Sequence, residues 1–188
     1  MSDTSREFRV IPTLTGTPPS ELDVDDLPAT PKELWSTWLE EALDAQVPEP
    51  IAATLATVDA DGTPDARTLV LKGVDERGWA FASTASSRKG VQLADRPAAA
   101  LELYWQPIAR AVRARGPVEL ASPEEWEADL AARSPEARAT VPPGQWRLWR
   151  LRPERVEFWQ GSTDRRHLRI VYTRDAEGWH VEASRAAG

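Results

Sequence analysis

The chain contains no cysteine and only two histidines among its 188 residues. The absence of cysteine excludes disulfide bonds, thiolate nucleophiles and cysteine-ligated zinc or iron–sulfur centres. Two histidines cannot form a three-histidine metal site, and no H-E-x-x-H motif occurs. The sequence therefore predicts no metal site.

Several other motifs are missing. None of the ten glycines forms a G-x-G pair, which excludes the Rossmann dinucleotide-binding fingerprint, and no P-loop is present. No G-x-S-x-G elbow marks a nucleophilic serine, so hydrolase chemistry is unsupported. No apolar run approaches the roughly 18 residues of a membrane-spanning helix, and the N-terminus lacks the apolar core of a signal peptide. We therefore expect a cytoplasmic protein that does not bind membranes.

The charge balance is acidic. The formal net charge is -7, which argues against general binding to nucleic acid or to anionic membranes, since both reward an excess of cations. Only three of the 23 basic residues are lysines: Lys32, Lys72 and Lys89. Nine tryptophans are many for this length, and they need a thick core, an oligomer interface or a planar ligand to cover them.

The N-terminal third combines an irregular segment with a strongly marked helix. Residues 1–29 are rich in Pro, Thr, Ser and acids without hydrophobic periodicity, which predicts a flexible arm. A helix is predicted over 31–46, because Thr30 is a good N-cap, Pro31 suits the first helical position and Glu33 can close a capping box. Its apolar face would pack on the rest of a single domain that spans 30–188.

From residue 51 the hydrophobic period is that of β-strands. The turn signals DADG and DERG separate three apolar runs, which predicts a three-strand antiparallel meander over 51–84. Two more strands flank the Gln106-Pro107 turn, and closing strands follow from residue 146. A serine followed by a proline is typical of a helix start, so Ser122 and Ser134 each predict a short helix before the closing strands. The fold class predicted is mainly β (α+β), a small antiparallel β-barrel with short peripheral helices.

Two stretches concentrate cations at points where an anion could bind. The stretch ARTLVLKG, residues 66–73, places Arg67 and Lys72 on opposite faces and near opposite ends of one strand. The stretch SSRKG, residues 86–90, offers hydroxyls, Arg88, Lys89 and the free amides of a helix start, a combination that attracts phosphate. Either could be solvated surface charge. Two of the three lysines fall within them, which favours a site that needs a compact ammonium.

A third cationic stretch is EFWQGSTDRRHLRIVY, residues 157–172. If it is a strand from residue 165, alternation places Arg165, His167 and Arg169 in a row on one face. Like charges along one face repel unless an anion or neighbouring carboxylates neutralise them. The sequence offers two such carboxylates, Glu157 and Asp164. The row therefore predicts either an anionic ligand or partners of this kind.

Taken together, these stretches resemble the pyridoxamine 5′-phosphate oxidase family, the flavin-binding split barrels. The similarity runs in order from about residue 48 to residue 179, through EPIAATLATVDADGTPDARTLVLKG, SSRKGVQLADRP, YWQPIARAVRARGPVE and VEFWQG followed by RRHLRIVYTR. The resemblance implies a homodimeric split β-barrel with FMN bound at the subunit interface, so that each site draws residues from both chains.

The resemblance also implies a role for individual residues. The positions expected to bind FMN are Arg67, Thr68, Leu69, Val70, Leu71, Lys72, Ser83, Arg88 and Lys89 from one subunit, with Trp159 and Arg169 from the other. The pair expected to face the substrate over the flavin, as catalytic residues, is Arg165 and His167. The cations expected to grip a substrate phosphate are Lys72 and Arg133.

The chain departs from the family pattern at both ends of this site. Ala82-Ser83 replaces the usual Tyr-Thr, and Ala111 replaces a glutamine that donates to the flavin, so two FMN contacts are changed. In the substrate-phosphate clamp, Asp129 and Ala137 replace Tyr and Ser. An anionic Asp129 would repel a phosphate. The family's Gln-Ser motif and a long helix are absent, so the pocket wall is rebuilt.

These features predict an FMN-dependent oxidoreductase that passes a hydride from the substrate to flavin N5, with reoxidation by dioxygen. The family substrate would be pyridoxamine or pyridoxine 5′-phosphate. Two alternatives stay open. One is an FMN-dependent oxidase of a different substrate, such as a reduced phenazine-like secondary metabolite, which would explain the altered clamp. The other is a non-catalytic flavin-binding split barrel or a dimeric interaction module.

Overall fold

The computed structural model of the protein describes residues 11–185. Within them lie four α-helices, which are α1 (Pro31–Asp44), α2 (Arg88–Asp95), α3 (Pro123–Ala131) and α4 (Pro135–Ala139). The nine strands are β1 (Ala52–Val58), β2 (Pro64–Asp75), β3 (Gly78–Thr84), β4 (Ala98–Trp105), β5 (Arg110–Leu120), β6 (Trp146–Leu151), β7 (Arg155–Gln160), β8 (Leu168–Arg174) and β9 (Trp179–Arg185). None of the helices in this part of the chain is long and apolar enough to cross a membrane.

Six of the strands close into an antiparallel barrel. Their order is β4-β1-β2-β3-β6-β5, and pairing of β5 with β4 completes the circle. Strand β5 is shared between two neighbours, because residues 110–115 pair with β7 whereas Val118–Leu120 pair with β6. Strands β7, β8 and β9 therefore extend from the barrel as a wing of sheet. The predicted antiparallel barrel, with its meander over β1–β3, is confirmed.

Helix α1 packs across the barrel through its tryptophans. The predicted capping box is present, since the Thr30 side chain accepts from the Glu33 amide and Glu33 accepts from the Thr30 amide. The helix ends at Asp44 rather than at residue 46, because Gln46 has a φ of 52° that the α-helix cannot accommodate. The Trp35 ring lies 4.7 Å from Trp79 and 5.6 Å from Trp105, so these tryptophans serve the core.

The segment that precedes α1 lies along the barrel. Residues 11–29 form neither helix nor strand, and the first ten residues of the predicted arm lie outside the described residues. The Tyr172 hydroxyl donates to the Pro28 carbonyl at 2.9 Å, and the Thr17 amide donates to the Pro107 carbonyl at 3.1 Å. These bonds attach residues 11–29 to β8 and to the turn between β4 and β5 of this chain.

A buried arginine ties the arm, α1 and the wing together. Arg110 is fully buried, and its guanidinium lies 4.2 Å from the centroid of the Trp38 ring. It pairs with Glu41 and donates to Gln160 at 2.9 Å and to the hydroxyl of Ser20 in the arm at 3.1 Å. Burial lowers the pKa of Arg110, and the hydrogen bond and charge of Glu41 oppose that shift. Glu41 is therefore the counter-ion of a buried guanidinium.

We expect Glu41→Gln to destabilise the protein by about 3 kcal/mol, because it leaves a buried guanidinium without a counter-ion. Urea unfolding followed by tryptophan fluorescence would measure this loss. The matched control is Glu40→Gln, which makes the same change at an exposed neighbouring position and should cost less than about 0.5 kcal/mol. Equal stability of the two variants would show that Arg110 does not need this partner.

Candidate functional site

The first turn of α2 is held tightly against the end of β3. The Ser87 hydroxyl caps the helix by accepting from the Gly90 amide at 3.2 Å, and it donates to the Thr84 carbonyl at 2.7 Å. A Cβ at Gly90 would lie 2.5 Å from the Ala85 carbonyl oxygen, so only glycine permits this approach. The sequence thereby places Arg88 and Lys89 at a fixed position beside β1 and β2.

Arg67 reaches the same place from β2. Its guanidinium donates to Thr57, to the Leu55 carbonyl at 3.3 Å and to Gln92 at 3.1 Å. Thr57 and Gln92 are buried and bonded to each other at 2.6 Å, so these contacts fix Arg67. We call Arg67, Arg88 and Lys89 the cationic cradle. Burial lowers the pKa of the Lys89 ammonium, and the charge of Arg67 lowers it further.

A carboxylate that sequence reasoning missed lies within the cradle. Asp65 is 2.8 Å from the Arg67 guanidinium and 3.0 Å from Arg88. Burial alone would raise the pKa of Asp65, but the Arg67 charge, Gln92 and Arg88 together hold it below its ordinary value. Asp65 lies two residues before Arg67, so strand alternation was a signal that both share one face. Asp59 also lies 3.9 Å from Arg88, so three cations and two carboxylates leave the cradle with one net positive charge that suits a phosphate.

The strand between the cradle and Lys72 alternates as the sequence predicts. Thr68 and Val70 point outward, and Val70 is 51% exposed, whereas Leu69 and Leu71 turn towards the core. A bulge follows Leu71. Of the predicted flavin strip, only Thr68 and Val70 therefore present side chains to the outside.

Ser83 is the predicted FMN position at the end of β3. It is buried, and its hydroxyl lies 3.0 Å from that of Ser87, the N-cap of α2. The structure therefore brings Ser83 next to the start of the helix that carries Arg88 and Lys89.

The predicted substrate cations meet around a tryptophan. The Lys72 ammonium lies 3.2 Å from the Asp129 carboxylate, whose other oxygen accepts from the Trp146 indole at 2.8 Å. The Arg133 guanidinium lies 4.4 Å from the centroid of the Trp146 ring. We call these four residues the Lys72–Asp129 cluster. The sequence predicts that Asp129 repels a phosphate, and the structure adds that it pairs with Lys72.

The predicted strand over residues 165–172 begins later, at Leu168. Arg165 has a φ of 67°, because residues 162–165 form a turn in which the Arg165 amide donates to the Ser162 carbonyl at 3.1 Å. The Asp164 carboxylate accepts from the Arg166 amide at 2.9 Å and thereby stabilises that turn. The prediction of three cations in one row is therefore wrong, since Arg165 and His167 lie in the loop before β8.

The loop and the two strands beside it still bring three predicted residues together. The Trp159 and His167 rings lie 5.1 Å apart, and Trp159 pairs directly with Arg169 across β7 and β8. His167 Nδ1 accepts from the Ser162 amide at 3.0 Å, so the neutral ring carries its proton on Nε2. Ala111, in register with Trp159, adds only a methyl group. We call Trp159, His167 and Arg169 the β7–β8 half-site, and Arg165 is exposed beside it.

A buried carboxylate organises the cations next to this half-site. Glu157 on β7 pairs with Arg113, with Arg155 at 2.8 Å and with Arg169 at 3.1 Å. Burial alone would raise the pKa of Glu157, but the hydrogen bonds from Arg113 and Arg155 and the neighbouring charges lower it. The interpretation that a carboxylate on a neighbouring strand neutralises the cationic row therefore holds for Arg169. Asp164, the other candidate, serves the turn instead.

We expect Glu157→Gln to lower the free energy of unfolding by about 2 kcal/mol at neutral pH. Because the folded pKa of Glu157 lies below its unfolded value of about 4.3, its contribution is present above that pH and is lost as the pH falls through the folded pKa. Urea titrations at several pH values would show the difference between variant and parent shrinking in acid. The exposed Glu154→Gln is the control, and a difference that stays constant with pH would contradict this account.

The cradle and the β7–β8 half-site lie on strands that are well separated in the order of the sheet. A continuous row of paired residues runs around the outer face of the sheet from Thr68 on β2 to Val171 on β8. These two strands are separated by five inter-strand steps in the order β2-β1-β4-β5-β7-β8, which is about 24 Å along the sheet. The half-site shares the outer face of the sheet with Thr68, whereas Arg67 of the cradle lies on the opposite face of β2.

The architecture is that of a split barrel with an added sheet wing. A family model described as pyridoxamine 5′-phosphate oxidase matches residues 39–160, and one described as the pyridoxine 5′-phosphate oxidase C-terminal dimerisation region matches residues 146–183. A pyridoxine/pyridoxamine 5′-phosphate oxidase from Bordetella petrii is 41% identical over 87% of this chain and 92% of its own length. One of the same name from Burkholderia mallei is 39% identical, with coverages of 86% and 92%. The chain therefore belongs to the pyridoxamine 5′-phosphate oxidase family.

Solved structures support the same fold. PhzG from Burkholderia lata, solved in complex with tetrahydrophenazine-1-carboxylic acid, matches with a TM-score of 0.83 and 27% identity, over 91% of this chain and all of that one. A pyridoxamine 5′-phosphate oxidase-related, FMN binding protein from Nostoc punctiforme matches with a TM-score of 0.66 and 21% identity, over 86% of this chain and 100% of that one. The second similarity concerns the fold alone.

Proposed function

We propose that the protein is an FMN-dependent oxidase of the pyridoxamine 5′-phosphate oxidase type. The observation that supports this most is the cationic cradle, where Arg67, Arg88 and Lys89 converge on the capped start of α2. These cations and the free helix amides fit a phosphate monoester such as that of FMN. The exposed strip at Thr68 and Val70 leaves room beside the cradle for a flat ring.

The protein's residues would act mainly by binding and orientation. The chemistry that FMN supplies when bound is acceptance of a hydride at N5, with reoxidation by dioxygen. The cradle would hold the phosphate, with Lys72 further along the same strand. Because His167 Nδ1 is occupied by the Ser162 amide, its Nε2 proton is the one available to orient a polar atom of the substrate. Arg165, exposed on the same loop, would add positive charge there.

A second copy of the chain would complete the site. Residues 146–183, which match a dimerisation region, carry Trp159, His167 and Arg169. In a twofold-symmetric dimer, this half-site of one subunit can face the cradle of the other. The outer face also presents exposed Val70 and Tyr104, which a partner would cover. We therefore propose a homodimer with two FMN sites at its interface.

Two substrate classes fit this proposal. The relatives that are 39–41% identical are named as pyridoxine/pyridoxamine 5′-phosphate oxidases, which favours those phosphate esters. The pairing of Lys72 with Asp129 favours a ring substrate without a phosphate. The likeness to PhzG, whose structure holds a reduced phenazine carboxylic acid, supports the second class.

The proposal is tested on purified protein. We expect quenching of FMN fluorescence on titration, a yellow product after gel filtration and hydrogen peroxide on addition of an oxidisable substrate. Pyridoxamine 5′-phosphate is the first substrate to supply, because peroxide release with it identifies the phosphate-ester oxidase. A colourless protein that leaves FMN fluorescence unquenched would show that the proposal is wrong. FMN binding without peroxide from any ring amine or alcohol would favour the non-catalytic flavin-binding alternative.

We expect Asp65→Asn to tighten FMN binding about fivefold. The substitution removes a negative charge whose repulsion of the phosphate costs about 1 kcal/mol. Thr57, Leu55 and Gln92 would still hold Arg67 in place. Fluorescence titration measures the dissociation constant. Asp95→Asn, at the far and exposed end of α2, is the control and should leave that constant unchanged. Weaker binding by the Asp65 variant would mean that the carboxylate organises the cradle rather than opposing the ligand.

A further inference from the structure

We propose that Asp129 is a specificity-determining residue, which makes the substrate end of the site favour ring substrates that carry no phosphate. The inference rests on the proposed function, which places the substrate beside Lys72 and Arg133. It concerns the Lys72–Asp129 cluster, where α3 meets the start of β6. No residue of the cradle takes part in it.

The Asp129 carboxylate is fixed at both oxygens. One oxygen lies 3.2 Å from the Lys72 ammonium, and the other accepts the Trp146 indole proton at 2.8 Å. Its side chain is 15% exposed and that of Lys72 is 28% exposed, so the pair lies partly out of water. The carboxylate therefore cannot turn away when an anion approaches Lys72 without losing both contacts.

The charge balance of the cluster sets the kind of ligand that it can hold. Lys72 and Arg133 contribute two positive charges, and Asp129 removes one of them. Arg133 stacks on Trp146, and its buried Nε has no hydrogen-bond partner among the described residues. One net positive charge with a guanidinium suits an uncharged polar group or a monoanion such as a carboxylate. A phosphate dianion that binds the Lys72 ammonium would lie beside the Asp129 carboxylate. The repulsion between these two anions disfavours phosphate binding.

The test compares Asp129→Asn with the parent in the FMN-loaded protein. Asparagine has nearly the same shape and its amide oxygen can still accept from Trp146, so the wall formed by α3 is kept. The probes are pyridoxamine 5′-phosphate and pyridoxamine, which differ only in the phosphate. Equilibrium dialysis without oxygen, with the flavin reduced beforehand so that it cannot accept a hydride, gives both dissociation constants, and initial rates of peroxide release give both values of kcat/KM.

We expect the variant to bind pyridoxamine 5′-phosphate about tenfold more tightly, with pyridoxamine changed less than about twofold. The control is Glu127→Gln, which removes an acidic charge from an exposed position on the same helix and should change neither constant. Pyridoxamine also reports on the integrity of the pocket within the same variant.

The outcomes separate this inference from the function on which it rests. If the parent binds FMN and prefers the phosphate ester, and Asp129→Asn leaves that preference unchanged, the inference is wrong while the proposed oxidase stands. The same conclusion follows if both probes change together, since the effect would not concern phosphate. If the parent does not bind FMN, the proposed function itself is wrong.

Discussion

Replacing Gly90 with alanine is expected to lower the affinity for FMN about 100-fold. This factor corresponds to the loss of two charge-assisted hydrogen bonds to the phosphate, at about 1.5 kcal/mol each. The new methyl carbon would lie 2.5 Å from the Ala85 carbonyl oxygen and 2.7 Å from that of Thr84. Both are backbone atoms of the turn that leads from β3 into α2, so they cannot swing aside. The first turn of α2 must move instead, and it takes Arg88 and Lys89 away from Arg67.

A control variant and stability measurements separate a displaced α2 from a general loss of folding. The matched control is Gly73→Ala, since a Cβ at Gly73 meets no atom within 4 Å. Circular dichroism and urea unfolding would report the stability of both variants, and fluorescence titration their FMN affinity. A Gly90→Ala protein that is folded and binds FMN as well as the parent would show that the phosphate is not held at α2.

Much of the fold could be predicted because its signals are local. A capping residue, a proline and an acid three positions on define the start of α1, and they act within one turn of chain. Alternation along β2 likewise separates Leu69 and Leu71 from Thr68 and Val70 without knowledge of the rest of the molecule. The barrel then follows from the number of such strands and the short turns that join them.

What the sequence could not show depends on distant residues or on turn geometry. The alternating pattern of the sequence extends to Arg165, but the structure places Arg165 in a turn. The positive φ of Arg165 and the hydrogen bond that the Asp164 side chain accepts define that turn. The pairing of Asp129 with Lys72 joins residues that are far apart in the chain, and no local pattern records it. Glu157 likewise gathers arginines from three strands only once the register is set.

The separation of the cradle from the β7–β8 half-site has a similar origin. Each half is a short motif that the sequence displays, whereas the five inter-strand steps between them follow from strand order. The resemblance to a family supplied the idea of two subunits. The strand order agrees with this idea, because the two halves lie on strands that are not neighbours in the sheet.

Mixing two defective variants is therefore expected to restore FMN binding. Lys89→Ala removes a cradle cation and Arg169→Ala removes a cation of the β7–β8 half-site, and each alone should weaken FMN binding at every site of its homodimer. When the two chains are refolded together, half of the dimers are mixed in a random assembly. Each mixed dimer has one site built from two intact halves, so about a quarter of all sites should regain parental affinity.

The control is a mixture of Lys89→Ala with Arg88→Ala, because both changes fall in the cradle and every site in the mixed dimer keeps one defect. FMN titration of each mixture gives the fraction of high-affinity sites directly. Recovery in the first mixture and none in the second is the result that an interface site requires. If the two mixtures behave alike, the cradle and the β7–β8 half-site do not meet across subunits, and the flavin must be held by one chain.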